Sequence, residues 1–204
     1  MVTDRNVLLE RARALMGGGG RRLLGIAGPP GSGKSTLAGW LVEALGRSAA
    51  LVPMDGFHLA QCELERLGRA ARKGASDTFD AAGYAALLRR VRATTDSTVY
   101  APMFRRDLEE PVAGAIAVGP AVRLVVTEGN YLLADGAWAD VRGLLDDRWF
   151  VATGDERRES WLLERHMAFG RSREAALAWI AATDAPNAAA IAATRVHADL
   201  VVEV

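Results

Sequence analysis

Short apolar runs alternate with segments of helical spacing along most of this chain. Val7 to Met16 puts Val7, Leu8, Ala12, Leu15 and Met16 close to a period of about 3.6 residues, which predicts a helix. Four glycines at 17–20 end it. Arg22 to Ala27 (RLLGIA) has the length of a buried strand, and Thr36 to Leu45 returns to helical spacing. Ala50 to Met54 reads as a second short strand ending at Asp55. Residues 59–79 are polar and irregular, and Asp80 to Val91 is helical again. Val99 to Arg106 and Val112 to Val118 look extended, but prolines interrupt the region, so a loop or an excursion is expected there. Arg123 to Thr127 (RLVVT) predicts a buried strand ending at Glu128. Ala137 to Leu145 reads as a helix and Trp149 to Ala152 as a strand. Asp155 to Phe169, Arg173 to Ala182 and Asn187 to Ala193 are helical, and Asp199 to Val204 closes as a strand. Strands alternating with helices predict an α/β fold of three layers, a mostly parallel sheet with helices on both faces. No repeat or break in composition divides the chain, so residues 1–204 are expected to form one domain.

Composition narrows the function classes. Half of the 204 residues are hydrophobic and a quarter are charged, as in ordinary globular chains, which excludes disorder as the main state. Lys+Arg and Asp+Glu are 25 each, and this zero net charge argues against a protein that holds nucleic acid by bulk electrostatics. The single cysteine, Cys62, cannot form an internal disulfide or a cysteine-based zinc cluster. No apolar run fits a signal peptide or a membrane span, so a cytoplasmic protein without membrane contact is expected. Only two of the 25 basic residues are lysines, Lys34 and Lys73. In a chain that favours arginine so strongly, a retained lysine points to a place where a compact ammonium is needed.

Lys34 sits in Gly28-Pro29-Pro30-Gly31-Ser32-Gly33-Lys34-Ser35, which fits the phosphate-loop (Walker A) pattern G-x-x-x-x-G-K-[ST]. With this composition, the bare pattern arises by chance in roughly 0.002 chains of this length. Its context also fits, with an apolar run before it and a helix after it. Gly28, Gly31 and Gly33 allow backbone N–H groups to turn inward around phosphate oxygens, with Pro30, Ser32 and Thr36 in the same wall. The helix that follows presents its N-terminus to the anion. Lys34 can reach the outer phosphates, and the Ser35 hydroxyl can ligate magnesium.

Ligands of open α/β sheets sit beyond the carboxyl ends of the strands, which is where Asp55 and Glu128 fall. Beside a phosphate loop, Asp55 could orient or deprotonate an incoming hydroxyl. Glu128 could hold a metal ion directly or through water. In Asp55-Gly56-Phe57-His58, the glycine permits a tight turn and His58 could face an acceptor. A structural role for His58 is equally open. Further on, Arg157, Arg158, Arg165, Arg171 and Arg173 cluster in one helical region broken by Gly170. Arg158 and Arg165 are seven apart and share a helix face. The region from about 155 to 175 reads as a lid that brings positive charge to a transferring phosphoryl group, with Arg165 the first choice and Arg171 the second. The alternative is a solvated face laced with Glu156, Glu159 and Glu164.

GPPGSGKST, MDGFHL, DTFD, TEGNYLL and RHMAFGRS, in that order, resemble the P-loop small-molecule kinases grouped with uridine kinase, phosphoribulokinase and bacterial pantothenate kinase. Short bacterial proteins of the nucleoside/nucleotide kinase or fructose-transport-system kinase type are especially similar. The resemblance runs from about Arg22 to the C-terminus. It implies a P-loop kinase fold, ATP with magnesium as cofactors, and transfer of a γ-phosphoryl group to a hydroxyl of a small molecule. It also implies Asp55 as base, Glu128 near magnesium, Arg165 on the lid and Arg106 in the acceptor loop. A homodimer is the protein partnership it leaves open. Two departures stand out. Arg105 occupies a place where the family often has an acid. Arg72-Lys73-Gly74 precedes the Ser76–Asp80 segment where nucleoside kinases carry an acid for ribose hydroxyls. A cationic entrance at Lys73 suits an anionic acceptor better than a neutral nucleoside. The contacts to a base are least defined, with the loosest match near Asn187, Arg195 and the C-terminal strand. A second class stays open, a nucleotide-dependent switch NTPase that engages a partner and has no small-molecule acceptor. It has no guanine-type NKxD motif here to support it.

Overall fold

The computed structural model describes residues 2–204. A five-stranded parallel sheet runs through the centre. Its strands are β1 (Arg22–Ala27), β2 (Ala49–Leu51), β5 (Leu124–Gly129), β6 (Asp147–Ala152) and β7 (Leu200–Glu203). They lie in the order β2-β5-β1-β6-β7. The residues of β1 explain why both faces are covered. Leu23 and Ala27 point into one apolar layer, while Leu24 and Ile26 point into the other. This is the two-sided burial expected of parallel strands joined by helical crossovers.

On one face, α1 (Arg5–Met16) and α2 (Lys34–Leu45) contribute Leu8, Ala12, Leu37 and Leu41. Asp4 caps α1, accepting from the Asn6 backbone N–H at 2.8 Å. On the other face, α4 (Ala81–Ala93), α5 (Ala139–Leu144) and α8 (Ala185–Ala193) contribute Tyr84, Leu88, Val91, Val141 and Ile191. The Tyr84 hydroxyl, its pKa pushed up by burial, meets the Thr127 hydroxyl inside this layer.

Three expectations change. The second strand stops at Leu51, and Asp55 belongs to a tight helical turn, Met54–Phe57, that follows it. Pro53 cannot donate to a ladder, so the strand ends and the turn begins. The region read as an interrupted excursion is an antiparallel ribbon of β3 (Val99–Arg105) and β4 (Glu110–Val118). Pro102 falls at the shift of register between Ala101 and Met103, the kind of irregularity that accommodates proline in a strand. Finally, α7 (Arg173–Trp179) runs into α8 through one wide π turn, Ile180–Asp184.

Arg21 is a structural hub. It is buried, and its guanidinium donates to the carbonyls of Val122, Val91, Thr94 and Gly119. The end of α4 and the strap leading to β5 are thereby tied to the start of β1. Arg21→Met should lower the unfolding free energy by about 3 kcal/mol, because charged hydrogen bonds are lost and carbonyls are left unpaired. Urea unfolding checks this, and a loss below about 1 kcal/mol would assign the region's stability to packing.

Candidate active site

The loop from Gly28 to Ser35 leaves β1 and becomes α2. Gly33, at φ +86°, caps the helix in the left-handed region where side chains are strained. Gly31, at φ +78°, is also too crowded for a side chain, since a Cβ there would lie 2.7 Å from the Arg158 carbonyl oxygen. Thr153, after β6, donates to the Ser32 carbonyl at 2.8 Å and braces the loop. The Ser32 hydroxyl is buried and has no hydrogen-bond partner among the described residues.

Lys34 is buried at the helix start. Burial pushes its ammonium down, and the charges of Glu128 and Asp55 hold it up. It makes no ion pair among the described residues, so a buried cation stands ready for an anion. Glu128, on β5, is pushed up by burial and held down by Lys34. The Ser35 hydroxyl donates to Glu128 Oε1 at 3.1 Å. This hydroxyl–carboxylate pair suits a hard, oxygen-seeking cation. No cluster of three His, Cys, Asp or Glu side chains forms a metal site among the described residues, so a cation here would need phosphate oxygens as well. Magnesium fits that donor set, with Ser35 and Glu128 as the residues to hold it.

A cavity of about 510 Å³ opens above this pair. Pro30, Lys34, Ser35 and Glu128 form its floor. Asp55 and His58 enter from the turn after β2, and Lys73 from the loop before α4. Arg106 enters from the tip of the β3–β4 ribbon. Arg165, on α6 (Asp155–Ala168), and Arg171, just beyond it, close the far side. Arg106 Nη2 donates to Asp55 Oδ2 at 3.2 Å. Gly56 brings the turn against the ribbon, because a Cβ there would lie 2.4 Å from the Pro102 carbonyl oxygen. His58 Nδ1 lies 2.9 Å from the Asp55 carbonyl oxygen, and its ring packs at a tilt against Phe79 and Phe104. Burial lowers its pKa, which favours the neutral ring. Arg165 is lowered too, first by burial and then by Arg106, and it has no ion-pair partner among the described residues.

A second cavity of about 520 Å³ lies behind the loop. Gly31, Gly33, Thr36, Trp161 and Val204 line it, and it shares Lys34, Ser35 and Arg165 with the first. The sequence reading missed Trp161, although it stands four residues before Arg165 on the same helix face. Asn187 lines the first cavity and Arg195 a third one, so neither joins Trp161 around the second. Arg158 also parts from Arg165. Two turns of helix, about 10 Å, separate them. Arg158 is buried beside the loop with Asp155 and Glu159, away from the main cavity. Phe169, Trp179, Asn130 and the His166–Asp184 pair complete the main cavity, and none carried a local signal strong enough to select it. Asp184 belongs to the π turn, which spacing alone does not reveal.

Comparison with known proteins gives the same picture. A family model described as "Phosphoribulokinase / Uridine kinase family" matches residues 23–204. The chain is 35% identical over 179 residues to a Schizosaccharomyces pombe protein provisionally named uridine kinase C227.14, covering 83% of this chain and 76% of that one. It is 32% identical over 189 residues to the uncharacterized protein YggC of Escherichia coli (strain K12), covering 90% and 78%. A crystal structure from Silicibacter sp. TM1040, provisionally named a fructose transport system kinase, superposes with a TM-score of 0.85 at 37% identity, covering 95% of this chain and 98% of that one. The parallel sheet, the phosphate loop and these matches together show a P-loop kinase fold, and the chain belongs to the phosphoribulokinase / uridine kinase family.

Proposed function

We propose that the protein is an ATP-dependent kinase that transfers the γ-phosphoryl group to a hydroxyl of a small metabolite. One observation carries the reading. A buried phosphate-loop lysine, a Ser–Glu pair, a turn carboxylate and a half-buried arginine without an ion-pair partner among the described residues all face one cavity. Lys34, Ser35 and Arg165 belong to both cavities, so the phosphates fit at the shared wall. The nucleoside then occupies the second cavity against Trp161, and the acceptor the first. No helix of the described residues is long and apolar enough to cross a membrane, and a cytoplasmic enzyme is the matching expectation.

Lys34 and the loop N–H groups hold the β- and γ-phosphates. Bound magnesium would shield phosphate charge, with Ser35 and Glu128 beside it. Asp55 accepts the proton of the acceptor hydroxyl as its oxygen bonds to the γ-phosphorus. The bond from that phosphorus to the bridging oxygen breaks, and ADP leaves with the electron pair. Arg165 stabilises charge on the transferring group and excludes water from it. Covalent work is small, so position and charge set the rate.

The test is ADP release with magnesium and ATP against a panel of nucleosides, sugars, sugar phosphates and pantothenate. Strong stimulation by one acceptor class supports the kinase. Slow hydrolysis that no acceptor stimulates, with a partner retained only in one nucleotide state, would favour the switch NTPase.

A further inference from the structure

We infer that Lys73 and Arg106 form a cationic clamp, built around the ring of Phe104, that binds an oxyanion group on the acceptor. The inference rests on the kinase reading and names the acceptor class: a small hydroxyl compound carrying a carboxylate or a phosphate.

The clamp is assembled from two distant pieces of chain. Lys73 Nζ lies 5.5 Å from the centre of the Phe104 ring, and the Arg106 guanidinium carbon lies 5.2 Å from it. Like charges repel, so bringing two cations to one ring calls for an anion between or beside them. The protein supplies little of that charge. Lys73 donates only to a backbone carbonyl, that of Glu109, at 2.7 Å, and makes no ion pair among the described residues. Arg106 has one carboxylate contact, Asp55, and its other neighbours are the faces of Phe104 and Phe169. The other acids lining the cavity are committed elsewhere or stand apart. Glu128 takes the Ser35 hydroxyl, Asp184 binds His166 at 2.8 Å, and the Glu109 carboxylate forms no ion pair.

Both arms are held in place. Arg69 and Arg72 each pair with Asp77, and the Tyr131 hydroxyl donates to the Gly74 carbonyl at 2.7 Å. These contacts fix the loop that carries Lys73. On the ribbon, Glu109 has φ 53°, the one left-handed non-glycine residue among those described. That conformation sets its carbonyl on Lys73, and such backbone strain concentrates at ligand sites. His58 packs against the same Phe104 ring with its protonation suppressed, so it adds no competing charge.

Position also bounds the acceptor. Arg106 spans from Phe104 to Asp55, so the oxyanion and the reacting hydroxyl lie within one guanidinium of each other. A compact acceptor satisfies this, and a bulky neutral nucleoside leaves Lys73 without a partner.

The experiment is calorimetric binding to the full chain saturated with magnesium and a non-hydrolysable ATP analogue, which fills the phosphate loop. The probes are inorganic phosphate and two matched sets: glycerol, glycerate and glycerol 3-phosphate; and a hexose, its acid and its 6-phosphate. The expected result is that inorganic phosphate binds and that an anionic member of a set binds about tenfold or more tighter than its neutral parent. Comparing the acid and phosphate arms identifies the oxyanion. Lys73→Gln should erase that advantage, and Lys73→Arg should retain most of it. Equal binding of neutral and anionic members, no binding of phosphate or any anion, or an unchanged advantage in Lys73→Gln would overturn the clamp. Failure of the ATP analogue itself to bind would overturn the kinase reading instead.

Discussion

Asp55→Asn should slow phosphoryl transfer by about 10³-fold while leaving the affinity for magnesium-bound ATP within about twofold. The separation of the two effects follows from position. Asp55 lies in the turn after β2, facing the first cavity, whereas the residues around the second, where the nucleoside is proposed to bind, come from the N-terminal segment with α1, the phosphate loop with α2, α6 and the C-terminal strand. Asparagine keeps the shape of the side chain and still accepts from Arg106, so the turn should survive. It cannot take a proton from a hydroxyl at neutral pH. Single-turnover transfer and calorimetry of ATP binding check the two halves separately. A variant that transfers at more than about a tenth of the normal rate would remove Asp55 from the proton path. One that loses ATP binding would give it an electrostatic role beside Lys34, which feels its charge.

Arg165→Ala should have a comparable effect, lowering kcat by about 10³-fold. The guanidinium is half-buried, has no ion-pair partner among the described residues, and is placed at the wall common to both cavities. Keeping it there costs desolvation, and an anion between Lys34 and Arg165 offsets that cost. The offset should be largest when charge moves from the γ-phosphorus to its oxygens, so kcat should fall more than ATP affinity. Arg165→Lys should recover only part of the rate, because an ammonium cannot present two parallel donors. Single-turnover rates on both variants check this. A rate within about tenfold of normal in Arg165→Ala would assign the charge to Arg171, which stacks on Trp179 across the same cavity.

Much of this architecture is legible in the sequence, for physical reasons. RLLGIA and RLVVT are buried on both faces, so their apolar runs are continuous and recognisable. The phosphate loop is legible because geometry forces it: Gly31 and Gly33 stand where other residues would be strained or clash. The β3–β4 ribbon was harder to read. It packs one face and exposes residues such as Tyr100 and Leu108, and its prolines mimic a loop. The site divides along the same line. Glu128 lies at the carboxyl end of β5, and Lys34, Ser35 and Asp55 lie just beyond the carboxyl ends of β1 and β2, where topology puts ligands. Trp161, Phe169 and Asp184 reach the cavities only through the packing of α6, α7 and the π turn. Arg158 shows the limit of spacing: a shared helix face with Arg165 placed it two turns away, under the loop.

The strand order has a consequence for how the molecule is made. The strand that carries the phosphate loop sits between β5 and β6, and Arg22 pairs with Leu124, about a hundred residues further along the chain. The next strand in sequence, β2, also pairs with β5 and not with β1. As the chain leaves the ribosome, the only strands among the described residues able to pair before β5 emerges are those of the β3–β4 ribbon. Leu23, Leu24 and Ile26 must therefore wait with their backbone unpaired through about half of synthesis. Pairings of such long range are slow to close and leave apolar strands exposed meanwhile. A pause or truncation before Glu128 would release a chain with no central sheet, so this enzyme's yield in cells should depend on chaperones that hold nascent chains.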